Sequence, residues 1–365
     1  MAYRLLRPWL FKLDAEAAHE RTLALLHRAG TVLSVRRELE RRYQPRDPRL
    51  ATTIAGLRFP GPVGLAAGLD KNAEAIDILS AVGFGSLELG SVTAHAQPGN
   101  EKPRLFRLVN ERAVINRMGF NNAGTAVVAE RVTAARERAA RHGFRLVPLG
   151  INIGKSLVVP VEDALADYDA SLQLSWPVAD YITLNVSSPN TPGLRTLQDI
   201  EPLRELLQVA TAYRELHGYK PVFLKIAPDV TDGQLNDIVT VAHEANLDAI
   251  IATNTTVTRP VPNSELAREA GGLSGAPLRS LAISIIRKLR ERTELPIIGV
   301  GGIANTADVF GALAAGANTV QVYTGFIYNG PFFPHHLNQA IARELDHHQL
   351  ANLAELREAV AKRPG

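Results

Sequence analysis

A repeated unit constrains the fold most: a short apolar run that ends abruptly in glycine or small polar side chains. Eight such runs occur: PVGLAAG (62–68), GSLELGS (85–91), LGINIG (149–154), YITLNVS (181–187), VFLKIA (222–227), DAIIATN (248–254), PIIGVGG (296–302) and TVQVYTG (319–325). Each is too short for a helix and lacks clean alternation, so each fits a strand buried on both faces. Helical patterns such as LRSLAISIIRKLRER (278–292) and TADVFGALAAGA (306–317) separate most of them. This alternation predicts an α/β chain and eight strands suit a (β/α)8 TIM barrel, although a doubly wound sheet would alternate in the same way. Position favours the barrel. AAGLDKN, LGSVT, NIGKS, NVSSPN, KIAPD, ATNTT, GVGG and YTG stand at the C-terminal ends of the strands, which in a barrel converge on the mouth where active sites lie.

Residues 1–45 are different in character. They hold a disproportionate share of the arginine, including RRELERRY (36–43), and apolar Leu5, Leu6, Trp9, Leu10, Phe11 and Leu13 at helical spacings. Asp14 suits the N-cap of AEAAHERTLALLHRA, with Glu16 in its first turn and Gly30 just past its end. Two or three short helices are expected, broken near Pro8 and Gly30. They read either as an extension packed on the barrel or as an amphipathic platform, its apolar face to lipid and its arginines to anionic headgroups. QPRDPRL (44–50) reads as the linker and ATTIAGLRF as a small hairpin, so residues 46–365 form the barrel. With 46% hydrophobic residues the chain can build a large core, yet no stretch approaches 18 uninterrupted apolar residues, and the N-terminus lacks the pattern of a secretory signal. The absence of cysteine excludes disulfides, thiolate nucleophiles and iron–sulfur ligation. A net charge of +3 gives no indication of nucleic-acid binding.

Two motif matches fail, one on spacing and one on its missing partner residue. GINIGKS (150–156) has three residues between its glycines where a P-loop needs four. GVGGIA (299–304) satisfies G-x-G-x-x-A, but TVQVY, the next strand, has no acidic residue for a ribose. Gly301, Gly302, Tyr323, Thr324 and Gly325 instead follow the seventh and eighth strands, where barrels often bind phosphate through backbone N–H groups. Lys225 lies inside an apolar strand, where an ammonium needs a negative partner. It could pair structurally with a carboxylate, form a Schiff base, or act as a fixed cation beside an electron-rich ring. Lys71 could bind an anionic substrate or be a solvated loop residue. Asn116, Asn121, Asn122, Asn152, Asn185, Asn190 and Asn254 cluster at strand ends and in NRMGFNN. Amides both donate and accept, so together they suit a flat heterocycle such as a pyrimidine or a flavin. The histidine pairs at 335–336 and 347–348 lack zinc-site spacing, and no metal is expected.

Together AAGLDKN, LGSVT with QPGN and KPRLFRL, NRMGFNN, GINIGKS, LNVSSPNTPGLR, KIAPD, ATNTT, GGLSG, GVGGI and QVYTGFIY resemble the quinone-dependent (class 2) dihydroorotate dehydrogenases. The resemblance covers essentially the whole chain. It implies an FMN-containing barrel that oxidises dihydroorotate to orotate in pyrimidine biosynthesis and passes electrons to a membrane quinone. It also implies peripheral association of the N-terminal helices with the cytoplasmic face of the cell membrane, with a monomer favoured. Carried over, FMN would contact Ala66, Ala67, Gly68, Lys71, Ser91, Asn152, Asn185, Lys225 and Thr253, with its phosphate against Gly275, Gly302, Tyr323 and Thr324. Substrate would contact Lys71, Asn116, Arg117, Met118, Gly119, Phe120, Asn185, Asn190, Asn254 and Thr255. His19, Arg107 and Tyr323 match tunnel-lining positions for the quinone. Ser188 would take the proton from C5 while a hydride leaves C6 for flavin N5, and Lys225 would stabilise negative charge at N1/O2. Pro189 and Pro192 would stiffen the loop bearing Ser188, with Thr191 and Phe120 as candidates for proton relay and water exclusion. Soluble relatives typically use cysteine as the base, and this chain has none.

Overall fold

All eight apolar runs form strands in the computed structural model, which describes residues 2–261 and 264–362. In chain order the strands are β1 (Thr52–Ile54), β2 (Leu57–Phe59), β3 (Val63–Leu65), β4 (Leu87–Val92), β5 (Leu105–Leu108), β6 (Ala113–Asn116), β7 (Leu149–Ile153), β8 (Tyr181–Asn185), β9 (Val222–Ile226), β10 (Ala249–Ala252), β11 (Gly272–Gly275), β12 (Ile297–Val300) and β13 (Thr319–Val322). The predicted eight, β3, β4, β7, β8, β9, β10, β12 and β13, close into a barrel of parallel pairs in which β13 returns to β3. Every residue of β7, β8 and β9 is buried, because helices cover one face and side chains fill the interior.

The expected hairpin is β1 paired with β2, and it seals the N-terminal end of the barrel. Ile54 and Phe59 pack there with Tyr181, Phe223, Ala249, Ile251 and Ile298. The Tyr181 and Phe223 rings lie 4.7 Å apart. Gly150 makes this floor possible, since a Cβ at that position would run into the Tyr181 ring. The interior opens at the opposite, C-terminal end. There β5, β6 and β11 form a separate antiparallel sheet that the sequence pattern did not predict, joining segments far apart in the chain.

The N-terminal helices are α1 (Ala2–Leu10), α2 (Ala15–Thr31) and α3 (Leu33–Tyr43). Asp14 caps α2 as expected, accepting from the N–H groups of Glu16 and Ala17. The breaks expected near Pro8 and Gly30 fall one or two residues beyond them, after Leu10 and Thr31. α1 runs through Pro8, and the chain turns after Leu10, where Arg107 gathers the carbonyls of Leu10, Phe11 and Leu13. Gly30 is a buried residue of α2, whose missing side chain lets the helix cross α4 (Ile76–Leu79) closely; a Cβ would lie 3.2 Å from that of Asp77. The expectation that the arginines of 36–43 face headgroups fails for Arg36, which is 2% exposed and paired with Asp77. The guanidinium stacks 4.0 Å over Phe144, a position that aliphatic packing alone would not reward.

α2 is held to the barrel by a second buried ion pair, Glu16 with Arg104 at 2.7 Å. Arg104 also donates to the carbonyls of Pro98 and Asn100 at 2.6 and 2.7 Å. Gln44, in the linker, donates to the Ser80 carbonyl at 2.9 Å. Removing one member of a buried pair strands the other, at about 3–5 kcal/mol. Glu16→Ala should therefore lower the urea-unfolding free energy by roughly that amount and speed proteolysis within residues 2–43, whereas Glu38→Ala on the exposed face of α3 should change neither.

Candidate active site at the barrel mouth

The open end of the barrel is a cleft holding about 1320 Å³ of non-atom space, its open mouth included. Its floor is organised by Glu88, a residue of β4 with no exposed surface. Glu88 accepts from Lys225 Nζ at 3.2 Å, Asn152 Nδ2 at 2.8 Å, Gln321 Nε2 at 2.8 Å and Thr183 Oγ1 at 3.5 Å. These donors come from β9, β7, β13 and β8, so one carboxylate ties five strands together. Lys225 thus has its negative partner and lines the cleft as well. The signal for Glu88 was the same as for Lys225, a charge inside an apolar strand, but sequence reasoning used only the lysine.

A polar chain rises from this floor. Ser91 donates to Asn152 Oδ1, and Asn185 Nδ2 donates to Ser91 Oγ at 2.8 Å and to Asn152 Oδ1 at 3.1 Å. The two serines of LNVSSPN then part company. Ser187 is fully buried, donating to Asn185 Oδ1 at 2.9 Å and accepting from Asn254 Nδ2 at 2.9 Å. Ser188 lines the cleft, and its hydroxyl oxygen accepts from the Asn190 N–H at 3.3 Å. Asn190 Nδ2 reaches the Asn116 side-chain and main-chain oxygens at 3.2 and 3.1 Å, tying the loop to β6. Arg195 fastens it from behind, donating to the carbonyls of Ser187 at 3.1 Å and Thr255 at 3.2 Å while paired with Asp229 at 3.0 Å. Tyr168, whose hydroxyl donates to the Asn185 carbonyl at 2.8 Å, is another support with no local sequence signal.

At one end of the cleft Gly275 and Gly302 both have positive φ, 94° and 71°. A Cβ on Gly302 would lie 2.6 Å from the Arg279 nitrogen, and one on Gly275 would meet the Arg112 carbonyl, so only glycine lets these chain segments meet. Tyr323 and Thr324 border the same space, where a short helix (Thr324–Asn329) begins. Ala66, Ala67 and Gly68 follow β3 along one wall, with Thr253, Asn254 and Thr255 after β10 on another. Met118, Gly119 and Phe120 line it too, Phe120 at φ 52° and held by Asn122 Nδ2 on its carbonyl at 2.6 Å.

Other expected residues lie outside the cleft. Asn152 is fully buried and does not line the cleft, linking Ser91 to Glu88 behind it. Arg117 turns away to Glu269 at 2.6 Å and over the Phe106 ring at 4.6 Å. Arg107 holds the joint between α1 and α2. Asn122 is an internal clamp, receiving the Gly124 N–H at 2.8 Å, and Lys155 of GINIGKS is spent on the Ser156 carbonyl at 2.8 Å.

His19 of α2 and Lys71 also line the cleft. Burial, with the Lys71 cation adding to it, pushes His19 down to about 3, against the opposing effect of Glu16. Burial likewise pushes Lys71 down to about 8, opposed most by Glu16. A histidine whose folded pKa lies below its unfolded value binds fewer protons folded than unfolded. Its contribution is therefore complete above about pH 6.5 and is lost as pH falls toward 3. Urea-unfolding free energies should accordingly fall less between pH 7 and 5 in His19→Gln than in the unaltered chain. Parallel curves for the two proteins would contradict this.

Comparison with known proteins accords with this geometry. Residues 49–345 match the family model described as dihydroorotate dehydrogenase. The chain is 50% identical over 333 residues to the dihydroorotate dehydrogenase (quinone) of Myxococcus xanthus, covering 90% of each. It is 46% identical over 354 residues to that of Thermobifida fusca, covering 95% of this chain and 93% of the relative. Among solved structures, ligand-free DHODH from Eimeria tenella superposes with a TM-score of 0.87 at 37% identity, covering 96% of this chain and all of that one. With its barrel, its mouth and this near-complete correspondence, the chain belongs to the dihydroorotate dehydrogenase family.

Proposed function

We propose that this chain oxidises dihydroorotate to orotate with FMN as prosthetic group and a membrane quinone as electron acceptor, a step of pyrimidine biosynthesis. One observation carries the reading: Ser188 and Lys225, brought from a loop and a strand far apart in the chain, line one cleft together with Asn116, Asn185, Asn190 and Asn254. The residues fit FMN. The glycine cradle of Gly275 and Gly302 suits a phosphate, with Tyr323 and Thr324 beside it, since the first N–H groups of a helix have no internal acceptor. Ala66, Ala67, Gly68, Lys71, Ser91, Asn185, Lys225 and Thr253 would hold the ring and tail, with Asn152 acting through Ser91 and Asn185. Bound there, FMN supplies a two-electron acceptor for the hydride that leaves C6.

The chain's own groups do the rest. Ser188 accepts the C5 proton as its own hydroxyl proton passes on to water, and its oxygen is held in place by Pro189, by the Asn190 N–H and by the Arg195 clamp beneath its loop. Asn116, Asn185, Asn190, Asn254 and Thr255 orient a ring that both donates and accepts, and Met118, Gly119 and Phe120 close over it. Lys71 meets the substrate carboxylate. Lys225 fixes a positive charge under the reacting system; an ammonium already paired with Glu88 is a poor nucleophile, which disfavours Schiff-base chemistry.

The quinone would arrive from the side of the N-terminal helices, past His19 and Tyr323, with Arg107 shaping the joint of α1 and α2. Leu5, Leu6 and Trp9 of α1 are 75%, 58% and 70% exposed, an apolar face suited to the cytoplasmic leaflet. No helix among the described residues is long and apolar enough to cross a membrane.

Purified protein should be yellow, and anaerobic dihydroorotate should bleach the flavin bands until quinone restores them. Colourless protein that takes up no FMN would end the proposal. Ser188→Ala should retain FMN while flavin reduction slows by about 10²–10⁴-fold; near-normal reduction would place the base elsewhere. Replacing Leu6 and Trp9 by serine should reduce sedimentation with anionic vesicles and leave single-turnover flavin reduction intact. Undiminished sedimentation would move the membrane face away from α1.

A further inference from the structure

Gln321 lines the cleft, yet the chemistry above leaves it unused. It lies in β13, in register with Val300 of β12 and Gly64 of β3, and is 1% exposed. Its Nε2 donates to Glu88 Oε2 at 2.8 Å. Glu88 already receives Lys225, Asn152 and Thr183, and a carboxylate paired with an ammonium can only accept. The amide nitrogen of Gln321 must therefore face Glu88. That settles from chemistry an orientation that shape alone leaves ambiguous. The amide oxygen then points the other way, and this buried Oε1 has no hydrogen-bond partner. A buried amide oxygen is costly to leave unpaired, so a native orphan calls for an explanation. Gly64 makes room for the arrangement, since a Cβ there would lie 3.3 Å from Gln321 Cγ.

We propose that Gln321 is a cofactor-binding residue whose Oε1 accepts the ring N–H of FMN; this rests on the FMN reading above. The oxidised isoalloxazine ring has a single N–H, at N3. The ring is favoured over the pyrimidine substrate because Gln321 shares Glu88 with Lys225 on the floor, whereas Ser188, Asn190 and Asn116 gather on the loop side. It is favoured over the phosphate because the glycine cradle is formed elsewhere, at Gly275, which ends β11, and at Gly302, beyond the end of β12. Glu88 acts here through Gln321, as the group that dictates which end of the amide meets the ligand.

The test measures release of flavin from holoenzyme by recovery of free-flavin fluorescence, for FMN and for 3-methyl-FMN introduced by flavin exchange. Losing a hydrogen bond to a buried acceptor should speed release by about tenfold. In the unaltered protein, 3-methyl-FMN should leave about tenfold faster than FMN. In Gln321→Met, FMN should leave faster and the two flavins should leave at the same rate. Equal release of both flavins from the unaltered protein would overturn the proposal, and this arm stands even where Gln321→Met fails to fold. Equal acceleration of both flavins in Gln321→Met would reduce Gln321 to a packing role and also overturn it. Altered dihydroorotate KM with unaltered flavin release would assign the oxygen to substrate instead. Unaltered protein that binds no flavin would sink the FMN reading and this proposal together, an outcome distinct from yellow protein with equal release rates.

Discussion

A carboxylate with no contact with water lies across the centre of the barrel, and the arrangement of the mouth depends on it. Glu88 would be strongly disfavoured there alone, because desolvating a charge costs several kcal/mol even after relaxation. It is tolerated because an ammonium and three neutral donors converge on its two oxygens. An apolar floor would pack as well and would not require this compensation. It would also leave Lys225 without a partner, and Asn152 and Gln321 without a fixed orientation. The hub thus converts one buried charge into four positioned side chains, and each belongs to a different strand.

Rigidity at the mouth follows from the closed opposite end. Because Ile54 and Phe59 fill the space against Tyr181 and Phe223, strands cannot breathe at the floor without opening a cavity. The loops above are then fastened individually: Arg195 under the Ser188 loop, Asn122 under Phe120, and Asn190 across to Asn116. The N-terminal helices join this framework through two buried ion pairs, Glu16–Arg104 and Arg36–Asp77, while Leu5, Leu6 and Trp9 remain outward. The same segment therefore has an inner face that is electrostatically locked and an outer face that is apolar. That division is the feature on which the proposed membrane docking of this segment rests.

The two charges in apolar strands show how far sequence reading carries. A lysine in VFLKIA demands an anionic partner, and that demand is local. The identity of the partner is not local, because Glu88 and Lys225 are on strands separated by β7 and β8 around the barrel. The sheet of β5, β6 and β11 was invisible for a related reason: three four-residue strands have weak individual patterns and exist only because distant segments meet. Arginines misled in the opposite direction. Composition grouped Arg36 with its neighbours, but burial against Asp77 and Phe144 separates it from Arg41 and Arg42, which pair with Glu38 on the surface.

By itself the sequence determined the eight strands, their number and order, the capped α2, and the set of polar groups at strand ends, because period, length and capping act over a few residues. It also carried the family resemblance, since the motifs are contiguous. Only the tertiary structure decided how each serine of the pair is held, which asparagines face the cleft and which brace it, and which atom of Gln321 is left free. Those outcomes depend on hydrogen-bond partners supplied by other strands, and a donor's partner cannot be read until the fold has brought it within 3 Å or so.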